Sequence, residues 1–511
     1  MEKIGDFYWA YADILRGIGI NESMYDQRIL AFMALKLLVD NELIKFNFDY
    51  KNNFGLDENL YEKYKGKNTK ETFENLIKDI ENLGTEKLKY FIQDKKYNPQ
   101  NESENILHYI NHKRTFPFLS YIDELSNKYL EMVLDIYMQK ADFKNYPREK
   151  YKDLYEKTIA RMKRLSGDLT GQHFTQKSII HLMCEYALND LKQNKKLAIY
   201  DPACGTGSML LESYFYFKEH LKDINIEVFG QEMHGQTWLL AKIFLEISEV
   251  PNIIAYGNTL TNPAFDKING NDSFDFIIAN PPFGVDWKHD YDEVIKNMQK
   301  EENSNFLVVK DSRGKIITPK KSDGQFLFML HILKLLENSK KIGKKAKAAV
   351  ITSSTLISTG SKTSSESKIR KKIFQTGFLE AVIEQPRAMF TNTDITSHIW
   401  FFNTEHNDSK IVILKANNDE KKLFTSHPNP QDKMKHCYNN KNIKEIIKFI
   451  LSKKEKKYIC KIVDLTDEYQ INISALIDKK GTRKKIDLKS TAFNFKKHTK
   501  EFCEMSSKEI W

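Results

Sequence analysis

Cysteine is scarce in this chain: Cys184, Cys204, Cys437, Cys460 and Cys503 are spread over 511 positions and form no Cys-x-x-Cys pair. That spacing argues against a zinc site and a disulfide framework, so no metal is expected and a reducing, cytoplasmic setting fits best. Long apolar runs are missing too, and none reaches bilayer-spanning length, so no membrane partner is expected. The opening residues MEKIGDFYWA lack the basic start and unbroken apolar core of a secretory signal. No internal repeat of solenoid type is present. A Gly-x-x-x-x-Gly-Lys phosphate loop is also absent, which speaks against a nucleotide-driven motor.

What remains is the profile of a folded enzyme. Hydrophobic residues make up 41% and charged residues 29%, as in ordinary globular proteins, and the length predicts two or three domains. The net charge of +10 suits a polyanionic partner such as nucleic acid, although a generally Lys-rich composition gives the same balance.

Residues 1–150 are expected to be helical, because apolar pairs such as Ile29-Leu30, Phe32-Met33 and Leu37-Leu38 recur at three- and four-residue spacing. From Lys196 onward short β-rich runs alternate with helical ones: Leu197–Tyr200, Glu227–Gly230, Phe274–Ala279, Ala348–Ile351 and Ala381–Ile383. Such alternation predicts a parallel sheet with crossover helices, an α/β domain over 151–424. The polar stretch Lys288–Lys321 and the Ser/Thr-rich Ser353–Ser367 are expected to be surface loops. Residues 425–511 are Lys-rich and form a separate, partly helical segment, in which Ile443, Ile446, Ile447 and Ile450 stand at helical spacing. That apolar face could dock a partner or pack back on its own chain.

Three segments carry chemistry. Leu197-Ala198-Ile199-Tyr200-Asp201-Pro202-Ala203-Cys204-Gly205-Thr206-Gly207 is a strand running into a glycine-bearing turn, followed by an apolar helix. Glycines there permit positive φ and close backbone approach, and the helix offers free N–H groups to a carboxylate, yet a plain strand-to-helix connection has the same form. Glu232, closing a second strand at Ile226–Gly230, is placed to accept hydrogen bonds from both ribose hydroxyls of an adenosyl group. It lies 31 positions after Asp201, against about 20 in dinucleotide-binding folds, so a dehydrogenase is a poor match.

The third segment is the most specific: the strand Phe274–Ala279 stops at Asn280-Pro281-Pro282-Phe283. An [Asn/Asp]-Pro-Pro-aromatic tetrapeptide is expected by chance in roughly one such chain in a hundred. The exocyclic amine of a purine is a weak nucleophile, since its lone pair is delocalised into the ring. Acceptors at the Asn280 amide oxygen and the Pro281 carbonyl would localise that pair, with Pro282 stiffening the backbone. Phe283 would stack on a base flipped out of the duplex.

Taken in this order, the segments resemble the amino-methyltransferases that act on adenine N6. The stretch Gly171-Gln172-His173-Phe174-Thr175-Gln176-Lys177 narrows the likeness to methylation subunits of type I restriction-modification systems, and Ala12–Gly17 followed by Ile29–Asp40, Asp323–Leu330, Ala348–Phe402 and Glu468–Ser474 are similar to that family as well. The resemblance implies a Rossmann-like S-adenosylmethionine-dependent methyltransferase domain, preceded by an all-helical N-terminal domain and followed by a C-terminal partner-docking tail. It implies that Gln172, His173, Phe174, Thr175, Gln176, Lys177, Asp201, Ala203, Cys204, Gly205 and Glu232 form the S-adenosylmethionine site, and that Asn280, Pro281, Pro282 and Phe283 hold the target adenine. Asn258 stands where relatives often have an aspartate that binds the cofactor's adenine amine; an amide oxygen can accept the same hydrogen bond. Phe174-Thr175-Gln176 replaces the family's frequent Tyr-Thr-Pro.

The implied partners are double-stranded DNA, a specificity subunit that reads the site, a second copy of this chain and a restriction subunit. Competing readings are a protein glutamine N-methyltransferase, which uses a similar Asn-Pro-Pro-aromatic segment, a non-catalytic subunit that clamps DNA, and a self-sufficient restriction enzyme. The length of the chain speaks against the first, the intact Asn280–Phe283 segment against the second, and the lack of a nuclease carboxylate cluster against the third.

Overall fold

The computed structural model describes residues 2–21, scattered positions between 25 and 75, residues 123–140 and, apart from short breaks, 175–464. Its strands are β1 (Lys196–Asp201), β2 (Asn225–Glu232), β3 (Asn252–Tyr256), β4 (Phe276–Ala279), β5 (Lys347–Ser353), β6 (Leu379–Glu384), β7 (Ser397–Asn403), β8 (Lys410–Lys415), β9 (Thr425–Gln431), β10 (Met434–Cys437) and β11 (Cys460–Asp464). The chain divides into two compact units: Met1–Thr170 with Gly205–Gly207 and Glu232–Tyr256, and Gly171–Cys204 with Ser208–Gln231 and Gly257–Trp511.

In the first unit the helices Glu2–Gly17 and Asn127–Lys140 are in contact, whereas Leu30, Met33, Leu37 and Leu38, on whose spacing the helical expectation for residues 1–150 partly rests, lie outside the described residues. Tyr11, fully buried, meets Phe32 and Tyr137 edge-on at 5.6 and 6.0 Å, geometry that favours aromatic pairs. The Tyr137 hydroxyl donates to the Ile29 carbonyl at 2.8 Å, and Arg28 Nε donates to Glu124 at 2.6 Å. Each of these two bonds joins segments about a hundred residues apart.

In the second unit the sheet runs in the order β11-β8-β6-β7-β5-β4-β1-β2. β1 pairs in parallel with β2 on one side and β4 on the other, and β4 continues in parallel with β5. The strand order therefore reverses direction at β1 and β4. In such sheets the crevice beyond the carboxyl ends at the reversal is where ligands bind, and the register Tyr200↔Ile277 brings the ends of β1 and β4 side by side there. β4, β5 and β6 are buried along their whole lengths, and because β7 runs antiparallel to β5 and β6 the sheet is mixed, with a parallel centre, rather than parallel throughout as the alternation predicts.

Two stretches expected to be loops are more ordered than their polarity suggests. Within Lys288–Lys321 lie the helix Tyr291–Met298 and a tight hairpin across the Lys310–Ile316 bridge. Ser364 caps the helix Ser365–Gln375 by accepting the Ser367 N–H. Beyond residue 425, β11 pairs antiparallel with β8, so the chain continues into the same sheet. The helix Asn440–Ser452, held at its start by a reciprocal Asn439/Asn442 capping box, buries Ile443, Ile446, Ile447 and Ile450 and packs on the helix Lys177–Leu191. Of the two readings of that apolar face, packing back on its own chain is the one realised.

Candidate active site

The turn after β1 is built by close approach. Asp201, almost fully buried, accepts the Ala203 N–H on Oδ1 at 3.0 Å, and the Cys204 N–H donates to the Gln231 carbonyl at 3.0 Å. Gly205 and Gly207 adopt φ of +56° and +79°, the left-handed conformation their sequence positions predict. Gly230 was not singled out by motif reading, yet a Cβ there would lie 2.8 Å from Cys204 Sγ and 2.9 Å from Leu210 Cδ1. Only glycine lets β2 pass this close to the turn. Thr259 Oγ1 donates to the Pro202 carbonyl at 2.5 Å and holds the turn from the other side.

In the first unit Glu232 is buried, and both its oxygens accept backbone N–H groups: Oε2 from Gly205 at 3.0 Å and Oε1 from His234 at 2.7 Å. Burial pushes its carboxyl above the ordinary range, and the two N–H donors partly oppose that shift. Each carboxylate oxygen can accept more than one hydrogen bond.

Asn280 follows β4 directly. Its Nδ2 donates to Thr175 Oγ1 at 2.9 Å, and Thr175, buried, donates its own hydroxyl hydrogen to Met209 Sδ at 3.3 Å. With its hydrogen on sulfur, the Thr175 oxygen accepts from Asn280, and this pair of bonds orients the amide. Pro281 is buried, whereas Pro282 and Phe283 are half-buried.

The remaining sequence-predicted positions are not gathered uniformly. Gln172, His173 and Phe174 lie outside the described residues. Gln176 uses Nε2 on two carbonyls, Met389 at 2.7 Å and His436 at 3.0 Å, while its Oε1 accepts from Ser178 at 2.9 Å; its amide ties this segment to β10. Lys177 is mainly exposed and forms an ion pair with Glu212 at 3.3 Å. Asn258 accepts the Leu260 N–H on Oδ1 at 2.9 Å and donates Nδ2 to Asp290 Oδ2 at 3.0 Å. Asp290 carries no motif signal; only folding brings that carboxylate to Asn258.

With this geometry in view, comparison with known proteins becomes decisive: the model for N-6 DNA methylases matches residues 147–485, well over half of the chain. The chain belongs to the N-6 DNA methylase family. Among curated proteins it is similar to the MpnII methylase subunit of a type I restriction enzyme from Mycoplasma pneumoniae, with 24% identity over 368 residues, covering 69% of this chain and 61% of the relative. The HindI methylase subunit of Haemophilus influenzae is 29% identical over 254 residues, covering 49% and 50%. The matched stretch thus spans between half and two thirds of these N-6 DNA methylase relatives' own lengths. The fold is like that of the type I restriction-modification methyltransferase subunit from Streptococcus thermophilus, with a TM-score of 0.60 at 19% identity over 91% of this chain and 96% of that one. Among the described residues of this N-6 DNA methylase family member, no helix is long and apolar enough to cross a membrane.

Proposed function

We propose that this chain is an adenine-N6 DNA methyltransferase, the modification subunit of a type I restriction-modification system, with S-adenosylmethionine as methyl donor. The observation that carries the reading is the Asn280 amide, oriented by Thr175 at the exit of β4 and followed by Pro281, Pro282 and Phe283. The match to N-6 DNA methylases favours DNA over a glutamine side chain of a protein.

The residues suit an adenosyl donor. Glu232 is a buried carboxylate that two N–H groups hold in place, and the Gly205 and Gly207 backbones have the positive φ that a close-fitting turn requires. When bound, S-adenosylmethionine supplies a methyl group activated by a sulfonium. Glu232 would hold the ribose hydroxyls, the Asp201–Gly205 turn and Thr175 the methionine end, and Asn258 the adenine. The Asn280 amide oxygen and the Pro281 carbonyl accept the N6 hydrogens of the target, which draws the lone pair out of ring conjugation, and Phe283 stacks on the flipped base.

The Thr175 contact has its own consequence. Thr175→Val deletes the acceptor that orients Asn280, and losing one such hydrogen bond, about 1 kcal/mol, slows methyl transfer at saturating cofactor by about 5-fold, separately from any loss of cofactor affinity. Single-turnover kinetics beside calorimetry test this; an unaltered rate removes Thr175 from the positioning role.

Sequence recognition is assigned to a separate specificity subunit, and the assembly would hold a second copy of this chain and a restriction subunit. The chain carries net charge +10 but no evident base-reading module, and phosphate contacts position without specifying. Docking is assigned to the segment 425–511, where Lys441, Lys444, Lys448 and Leu451 form the outward side of the helix Asn440–Ser452. Labelled-donor transfer, with DNA and protein offered as acceptors and the specificity subunit added or omitted, tests both halves. Label on adenine N6 only when the partner is present is the expected result. Label on protein overturns the substrate, and efficient methylation of one defined site by the chain alone overturns the division of labour. A cytoplasmic setting accords with the free thiols of Cys184, Cys204, Cys437 and Cys460.

A further inference from the structure

The Lys310–Ile316 hairpin is too well built for an ordinary surface loop. Its tip is fixed by four hydrogen bonds centred on Asp311: the Asp311 N–H donates to the Lys315 carbonyl at 2.9 Å, Gly314 N–H donates to the Asp311 carbonyl at 3.0 Å, and Oδ1 accepts from the Arg313 and Lys315 N–H groups at 2.9 and 3.0 Å. Its stem is apolar and buried at Val309 and Ile317, which are joined by a 2.8 Å bond from the Ile317 N–H to the Val309 carbonyl. Arg313 and Lys315 at the tip are exposed, as is Lys368 on the helix Ser365–Gln375. The Asp311 carboxyl is held below the ordinary range by those N–H donors, with smaller contributions from Arg313 and Lys368. Asp311 is thus used inside the turn and Lys310 is paired with Glu301 at 2.6 Å, while Arg313, Lys315 and Lys368 are exposed.

The hairpin is also tied to the chain next to the target-base segment. Its return arm offers the Lys320 carbonyl to Trp287 Nε1 at 2.9 Å and the Lys321 carbonyl to the Trp287 N–H at 2.8 Å, and the Gly324 N–H donates to the Val285 carbonyl at 2.8 Å. Trp287 is fully buried, so this joint is rigid, and Val285 stands two residues after Phe283. A preorganised cationic tip at a set position from the segment that holds the flipped base has the form of a phosphate grip. Extruding a nucleotide needs its flanking backbone held, and groups already in place lose little entropy when they bind.

We propose that the Val309–Ile317 hairpin grips the DNA phosphate backbone beside the target adenine through Arg313 and Lys315, with Lys368 adding to the same patch. This deepens the DNA reading above and rests on it. The mechanism is electrostatic and indifferent to base sequence, so its signature is salt dependence: each phosphate contact contributes about 0.9 to the slope of log K against log salt.

The test measures binding of the full chain to a short fluorescent duplex of arbitrary sequence over a range of salt. R313A/K315A should lower the slope by about 1.8. The charge-conserving R313K/K315R should retain it, and cofactor affinity should be unchanged in both. If the wild type binds duplex and R313A/K315A shows the same slope, the grip is overturned and the DNA reading stands. If the wild type itself binds no duplex, the grip is overturned, and the DNA reading is decided separately by labelled-donor transfer with the specificity subunit present. A slope lost equally in R313K/K315R would mean that side-chain shape rather than charge matters, which also overturns the electrostatic grip.

Discussion

Replacing Asn280 with alanine lowers methyl transfer to cognate DNA by about 100-fold or more while cofactor affinity stays close to wild type. The amide oxygen is assigned to the target amine and strengthens its hold as the N6 lone pair leaves ring conjugation, so its contribution is made in the transition state. Truncation also removes the Asn280–Thr175 bond, but Thr175 keeps its contact to Met209, and the strand before Asn280 is buried independently. The fold is therefore retained, and the Pro281 carbonyl leaves a residual rate. Single-turnover transfer from labelled donor, read beside calorimetric titration of the same preparation, separates rate from binding. A near-wild-type rate on cognate DNA would falsify the assignment of Asn280 to the target amine.

Glu232→Ala should weaken S-adenosylmethionine binding by about 1.5–3 kcal/mol, roughly 10- to 150-fold, the range for hydrogen bonds to a charged group. The Gly205 and His234 N–H groups lose their acceptor as well, and part of the cost arises there. The same residue sets a pH dependence. Burial raises its carboxyl above 4.5, so on acidification the ionised form that accepts from both hydroxyls is lost sooner than for an exposed glutamate. Affinity then falls as pH drops, starting above the usual carboxylate range, and Glu232→Gln flattens that limb. Calorimetry across an acid pH series reads both effects; a folded Glu232→Ala variant with unchanged affinity removes the residue from the cofactor site.

Much of the catalytic frame was legible before folding. The runs Leu197–Tyr200, Glu227–Gly230, Ala348–Ile351 and Ala381–Ile383 fall in strands, and Phe274–Ala279 holds β4 at its last four residues, since strands buried in a sheet are rich in apolar residues. Later strands were harder. β8 and β11 lie among lysines, and β9 carries Pro428 and Pro430, so composition hid the pattern. Polarity misled at Lys288–Lys321, because the apolar residues that order it, the pair Val294 and Met298, the cluster Phe306, Leu307 and Val309, and Ile317, are short groups among many charged residues.

The site divides in the same way. By itself the sequence determined the local parts: a glycine turn after β1, an acidic residue closing β2, and a strand that ends in Asn-Pro-Pro-Phe. Each is a short segment whose conformation follows from side chains a few residues apart. Only tertiary structure decided how they are oriented. Asn280 takes its amide direction from Thr175, 105 positions earlier, and Gln176 reaches 213 and 260 positions ahead to Met389 and His436. Asn258 meets Asp290, and the isoleucines of Asn440–Ser452 find the helix Lys177–Leu191. Hydrogen bonds between distant segments leave no period and no spacing in one chain, because their partners are chosen by sheet order and close packing, which exist only once the chain has folded.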